Sequence, residues 1–304
     1  MQQTNRSRHR HITSFQVISL GFLSVILLGS LLLMLPIATK SGQCTSFLDA
    51  LFTSTSAVCV TGLVINDTAT YWSLFGQGII LLLIQIGGMG IITIAIAIAA
   101  ISGRKIGLMQ RSTMQEAISA PTVGGIVRRT QFIIRITILI EIIGAALLAP
   151  VFCRDFGFWK GIWYSLFHSI SAFCNAGFDL IGIRTPFSSL TSYSVQPIVN
   201  LVIMALIVAG GIGFLTWEDI KIHKWHFKKY KMQSKVIFMV TGLLIFLPAL
   251  YFFCFEFSNV PLTERVWVSL FQSVTPRTAG FNTANLTLLS EVGQMLIIIL
   301  MLIG

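Results

Sequence analysis

Residues 46 to 64 read SFLDALFTSTSAVCVTGLV: an apolar start, a run of small hydroxyl residues and a glycine, set between two long apolar segments. The first dozen residues are too few to cross ~30 Å of hydrocarbon, which takes roughly 20 residues of helix. A short helix that enters the membrane and stops fits the stretch. Ser46, followed three positions later by Asp49, has the form of a capping box at its outer end. The backbone beyond it must be irregular at membrane depth. That is tolerated only where it is buried in protein or lines a watery cavity, because unpaired peptide groups in lipid cost several kcal/mol each. Glycine supplies the backbone angles such a turn needs.

Two other stretches repeat the pattern: GIWYSLFHSISAFCNAGFD at 161 to 179 and RVWVSLFQSVTPRTAGFNT at 265 to 283. Leu51-Phe52, Leu166-Phe167 and Leu270-Phe271 correspond, as do Gly62, Gly177 and Gly280. The Phe-to-Gly interval is ten residues in the first two copies and nine in the third, where Pro276 enters. Thr263 is the expected cap of the third short helix. Each copy is followed by an apolar segment with a glycine-rich point: QIGGMG (Gly87, Gly88, Gly90), VAGGIG (Gly210, Gly211, Gly213) and LMLIG, which ends at Gly304. The repeating unit is helix, half-helix, glycine loop, helix, with a period near 100 to 115 residues.

Composition agrees with a membrane protein. Of 304 residues 55% are hydrophobic and 11% charged, and mean hydropathy is +0.83, which excludes an ordinary water-soluble domain. Six segments reach or approach spanning length, at about 14 to 38, 74 to 101, 131 to 152, 195 to 217, 236 to 257 and 286 to 303. The first follows a basic head, but its apolar run is too long for a signal peptide and no small-x-small site precedes Pro36.

Fifteen of the 21 Lys and Arg fall in the head, after the second segment and after the fourth. The positive-inside rule makes these three regions cytoplasmic and the short helices external. The net charge of +10 is thus a topology signal, and no nucleic-acid partner is expected. Cys44, Cys59, Cys153, Cys174 and Cys254 lack the spacing of a zinc site.

The three repeats resemble those of the Trk/Ktr/HKT superfamily of cation transporters, and the short head before the first helix looks most like the membrane subunit of bacterial Ktr systems. The resemblance covers essentially the whole chain. It implies an all-α polytopic membrane protein whose repeated units surround a pore in potassium-channel-like pseudo-fourfold fashion. The filter segments it implies are Val60, Thr61, Gly62 and Leu63, then Asn175, Ala176, Gly177 and Phe178, then Thr278, Ala279, Gly280 and Phe281.

Potassium would be ligated there by backbone carbonyls. All three observed filter positions are glycine. In plant members a serine at the first position goes with sodium preference, so Gly62 favours potassium. The expected organisation is a head at 1–11, repeats at 12–111 and 112–220, and a third at 221–304 broken off in its second helix. A fourth repeat is missing, so the native chain is expected to be longer and this piece inactive alone. The resemblance further implies passive potassium transport in the bacterial cell membrane with the N-terminus cytoplasmic. A cytoplasmic nucleotide-binding regulatory subunit and a homodimer are the partners it implies. No cofactor is expected in this chain, with sodium held as a candidate modulator.

Other readings stay open. A nonselective or sodium-conducting channel uses the same parts, and a polytopic membrane transferase using His168 or Asp179 would need a polar catalytic cluster. Gly87, Gly88, Gly210, Gly211 and Gly304 are either packing glycines or hinges, with packing preferred for the two pairs. Glu141 lies in mid-membrane and calls for either a bond to another helix or a transport role. His168 reads as a packed or hydrogen-bonded residue and Cys59 and Cys174 as packing behind the filter. Asp67, Asp179 and Glu264 read as solvated mouth residues. The stretch KIHKWHFKKYKMQSK reads as a lipid-facing amphipathic helix or a docking segment for a partner.

Overall fold

The computed structural model describes residues 13–90, 93, 126–183 and 185–303. Among them the secondary structure is helical, with a single isolated bridge joining Thr39 and Trp72. The helices fall into three sets. The first is α1 (Ser14–Leu33), α2 (Phe47–Val58) and α3 (Leu74–Met89). The second is α4 (Ile126–Phe156), α5 (Phe158–Phe173), α6 (Pro197–Gly211) and its continuation α7 (Phe214–His223). The third is α8 (Met232–Tyr251) with a π-helical turn over Phe252–Glu256, then α9 (Leu262–Val274) and α10 (Glu291–Ile303). The head at 1–11, the boundary at 111/112 and Gly304 lie outside the described residues.

Among the described residues, three helices are long and apolar enough to cross a membrane, at Gln16–Leu33, Val127–Phe156 and Met232–Glu256. The fourth expected segment is broken: α6 and α7 meet at 95°, and Gly213 at the break has φ +79. Gly90, which ends α3, has φ +80. The third glycine of each cluster therefore carries the turn, a conformation glycine adopts without the steric penalty other residues meet. The cap expected at Thr263 is not one: α9 begins after Pro261 and Thr263 lies inside it. At α2, Ser46 does cap, its hydroxyl accepting from the Asp49 N–H at 3.1 Å.

The packing is apolar outward and hydroxyl-rich inward. Leu20, Leu31, Met239 and Leu250 are exposed, as lipid permits, while Ser54, Ser56, Ser165, Ser169, Ser171 and Ser273 on the half-helices are buried. The first two sets share one contact. The Ser54 hydroxyl donates to the Ile26 carbonyl at 2.8 Å, and Ser169 donates to the Glu141 carbonyl at 2.7 Å. Gly29 and Gly144 leave the room: a Cβ on Gly29 would lie 2.5 Å from Ser54 Oγ, and one on Gly144 would run into Ser169 Oγ. In the third set Pro248 stands at the corresponding place, and Ser273 bonds the Leu270 carbonyl of its own helix at 2.8 Å.

Glu141 is buried on α4 and accepts from Gln85 Nε2 of α3 at 2.9 and 3.2 Å, joining the first set to the second. The repeat relation puts Glu141 where the first set has Ile26. Leucine at Gln85 strands a buried carboxylate, and loss of such a partner costs about 1–3 kcal/mol. Gln85→Leu is therefore expected to lower thermal stability in detergent by that amount. Adding Glu141→Leu should recover most of the loss, and a double variant as unstable as the single would count against the pairing.

Candidate functional site

The last turns of α2 and α5 end in the same way. The Val60 N–H donates to the Ala57 carbonyl at 3.3 Å and the Thr61 N–H to Ser56 at 2.9 Å. In the second copy Asn175 donates to Ala172 at 3.1 Å and Ala176 to Ser171 at 2.7 Å. This is the Schellman arrangement, and it requires a left-handed residue just past the helix. Val60 (φ 57) and Asn175 (φ 58) occupy that position. Asparagine tolerates it, but a β-branched valine is strained there. Val60→Asn is expected to raise thermal stability by about 1 kcal/mol; unchanged or reduced stability would show that no strain is stored at this residue.

The third turn is built differently. After α9 the chain makes a 3₁₀ turn over Thr275–Arg277 with Pro276 in it, followed by Thr278 at φ −157 and ψ −23. One carbonyl, that of Thr275, collects the N–H groups of Thr278, Ala279 and Gly280 at 3.4, 3.0 and 3.3 Å. The missing residue in this copy is thus absorbed by a tighter turn.

Beyond these turns the three glycines come together. Gly62 (φ +75), Gly177 (φ +69) and Gly280 (φ +80) line one small cavity of about 110 Å³. They are stacked in order around it. A Cβ on Gly62 would sit 2.6 Å from the Ala176 carbonyl oxygen, and one on Gly177 would collide with the Ala279 carbonyl. Gly280 has open space at that position. Gly62 and Gly177 therefore serve two ends, a positive-φ turn and close approach of the neighbouring backbone, whereas Gly280 serves the turn alone. Backbone carbonyls gathered around a narrow cavity are suited to replacing the water shell of a monovalent cation.

The fourth residue of each segment differs in role. Phe178 and Phe281 are fully buried, and their carbonyls accept from Ser171 Oγ at 2.7 Å and Thr275 Oγ1 at 2.6 Å. These two residues are tied back to their half-helices. Leu63 in the first copy is 62% exposed.

The acids around the cavity depart from the expectation of solvated residues. Asp67 is buried and accepts from Thr70 N and Oγ1, both at 2.8 Å, and from Phe187 N at 2.9 Å. It fastens the loop of the first copy to that of the second. The corresponding tie between second and third copies runs through Asn282, which receives the Leu190 N–H at 2.9 Å and donates its own N–H to Ser189 Oγ at 3.0 Å. Asp179 borders the cavity; burial pushes its carboxyl up to about 6, the N–H groups of Ile181 and Gly182 partly offset this, and nearby Asp67 adds to the rise. Glu264 accepts from Ser194 Oγ at 2.9 Å and lines a separate cleft.

Behind the glycine turns, His168 is fully buried with both ring nitrogens engaged: Nδ1 lies 2.7 Å from the Tyr164 carbonyl and Nε2 accepts the Leu180 N–H at 3.3 Å. A donating Nδ1–H and an accepting Nε2 fit the neutral ring. Cys174 is buried against Gly88, whereas Cys59 is exposed. Gly87 faces the Val58 carbonyl and Gly210 the Phe173 carbonyl, each too close to admit a side chain, while Gly211 has only Asn175 Nδ2 at 3.9 Å. The pairings Gly29 with Ser54 and Gly144 with Ser169 were not among the expected site residues. The equal 25-residue interval in two repeats is the signal that could have shown them.

The cytoplasm-assigned stretch at 221–235 contains the end of α7 and a 3₁₀ turn at Phe227–Lys229. Asp219 of α7 is buried and accepts from Ser234 Oγ at 2.6 Å and Lys231 N at 3.1 Å, and Glu218 pairs with Arg129 of α4 at 3.0 Å. Trp225 is 98% exposed.

Comparison with known proteins gives a consistent result. A family model described as TrkH, cation transport protein, matches residues 2–304. The potassium/sodium uptake protein NtpJ of Enterococcus hirae is 41% identical over 97% of the chain and 65% of its own length. The Ktr system potassium uptake protein B is 41% identical in Bacillus subtilis and 34% in Vibrio alginolyticus, in each case over 95% of the chain and 64% of the relative. The chain thus spans about two thirds of the length of these relatives. The crystal structure of the potassium transporter TrkH from Vibrio parahaemolyticus shares the fold, with a TM-score of 0.69 at 19% identity over 98% of this chain and 57% of that one.

Proposed function

The chain belongs to the TrkH family of cation transport proteins, and on that footing we propose that it is the ion-translocating part of a Ktr-type potassium uptake system. Potassium would pass passively through a filter built on Gly62, Gly177 and Gly280. The observation that carries this reading is the convergence of three glycine turns, from stretches far apart in sequence, on one 110 Å³ cavity. Glycine at every one of these positions supports potassium as the favoured ion. A second reading, sodium conducted beside potassium, is favoured by the name of the Enterococcus relative.

The wider assembly follows from the Ktr resemblance. The repeats at 12–111, 112–220 and 221–304 act as pore units in a bacterial plasma membrane, with the basic head and the lysine-rich stretch at 221–235 on the cytoplasmic side. A nucleotide-binding regulatory subunit works from that side, the membrane part is a homodimer, and sodium modulates transport. The open flank beside Gly280 is where a fourth segment completes the ring in the full-length protein.

Complementation tests the filter. The full-length protein is expected to restore growth of a potassium-uptake-deficient bacterium at low potassium, and Gly62→Ser or Gly177→Ser to reduce both uptake and the preference for potassium over sodium. Variants indistinguishable from the parent would remove the filter assignment.

A further inference from the structure

Each repeat carries a buried hydroxyl four residues past the phenylalanine of its half-helix: Ser56, Ser171 and Thr275. Two of them are used alike. Ser171 Oγ donates to the Phe178 carbonyl at 2.7 Å and Thr275 Oγ1 to the Phe281 carbonyl at 2.6 Å, each carbonyl belonging to the residue after a filter glycine. The third is used otherwise: Ser56 Oγ is met by Thr61 Oγ1 at 2.9 Å, one residue before Gly62, and Leu63 stays exposed.

We propose that Ser171 and Thr275 are positioning residues for ion selectivity, holding the exits of the second and third filter segments rigid while the first segment forms the compliant side. The inference rests on the filter reading above. A carbonyl cage distinguishes two monovalent cations only while its oxygens keep their number and spacing. A hydroxyl anchored in a buried helix turn fixes the plane of the next peptide, and with it the carbonyl of the glycine before. The hydroxyl itself touches no ion, so its removal is felt as lost discrimination more than lost flux. The two hydroxyls recur although the turns in front of them are of different construction, a left-handed Asn175 in one and a 3₁₀ turn with Pro276 in the other. Packing of the turn alone would not require that.

The test is cation uptake by cells expressing the full-length protein with Thr275→Val, Thr275→Ser or Ser171→Ala, measured for potassium and sodium separately. Thr275→Val keeps the shape and removes the donor; Thr275→Ser keeps the donor. The expected result is a fall of roughly three- to tenfold in potassium-over-sodium preference for Thr275→Val and Ser171→Ala, the range set by one neutral hydrogen bond, with Thr275→Ser retaining the parental preference. An unchanged preference in Thr275→Val, or an equal loss in Thr275→Ser, overturns the proposal. If Thr275→Val does not reach the membrane, Ser171→Ala decides by the same criterion. Gly177→Ser measured in parallel separates the two levels: if it shifts preference and the hydroxyl variants do not, the clamp fails and the filter stands; if none shifts it, the filter reading fails as well.

Discussion

Alanine at Gly177 is expected to lower ion uptake by roughly tenfold or more, whereas alanine at Gly42, equally left-handed, should leave uptake near the parental level. Both positions have positive φ, +69 and +70. The backbone penalty for an L-residue there is about 1–2 kcal/mol in each case. Their surroundings separate them. A Cβ on Gly42 meets nothing within 4 Å, while one on Gly177 collides with the Ala279 carbonyl of the next glycine segment. That oxygen cannot yield without moving the backbone around the cavity, and each 1.36 kcal/mol in a barrier is a factor of ten in rate. Uptake and membrane abundance measured side by side check this. Equal losses at the two glycines would mean that backbone strain alone is being read and that the segments do not touch.

The second large effect is a change of sign between adjacent residues. Gly210 and Gly211 both end α6, but a Cβ on Gly210 would collide with the Phe173 carbonyl at the end of α5, and one on Gly211 comes no closer than 3.9 Å to Asn175 Nδ2. Overpacking of a tight site costs about 1–3 kcal/mol, and here the obstacle is backbone at the end of α5, just before the Gly177 turn. Alanine in an unobstructed helical position gains up to about 1 kcal/mol over glycine. Gly210→Ala is therefore expected to lower thermal stability in detergent by about 1–3 kcal/mol and to impair uptake. Gly211→Ala is expected to hold stability or raise it. Equal destabilisation by both would point to a bending role for the pair, since a hinge is stiffened by either substitution.

What could be read from the sequence was whatever recurred in it. The half-helices and their glycines appear in three copies, against which the short third interval stands out, and a triple coincidence is informative where a lone glycine is not. The kink in the fourth apolar segment was hidden because VAGGIG offers three glycines and only Gly213 takes the left-handed turn. Thr263 was a plausible cap by residue type, yet Pro261 with its fixed φ sets the start of α9 two residues earlier. The burial of Asp67 was beyond local pattern, since its Phe187 partner lies 120 residues away. Glu141 was visible as a costly buried acid, but Gln85, one of two glutamines in an apolar helix, identifies itself as the partner only once α3 and α4 are placed side by side.

Purified full-length protein in liposomes, with potassium and sodium influx followed under identical gradients, tests most directly whether Gly62, Gly177 and Gly280 form a potassium filter. The expected result is potassium entry well above sodium entry in the parent, with the difference largely erased in Gly177→Ser while the protein remains inserted. Equal entry of the two ions in the parent, or an undiminished difference in Gly177→Ser, would contradict it.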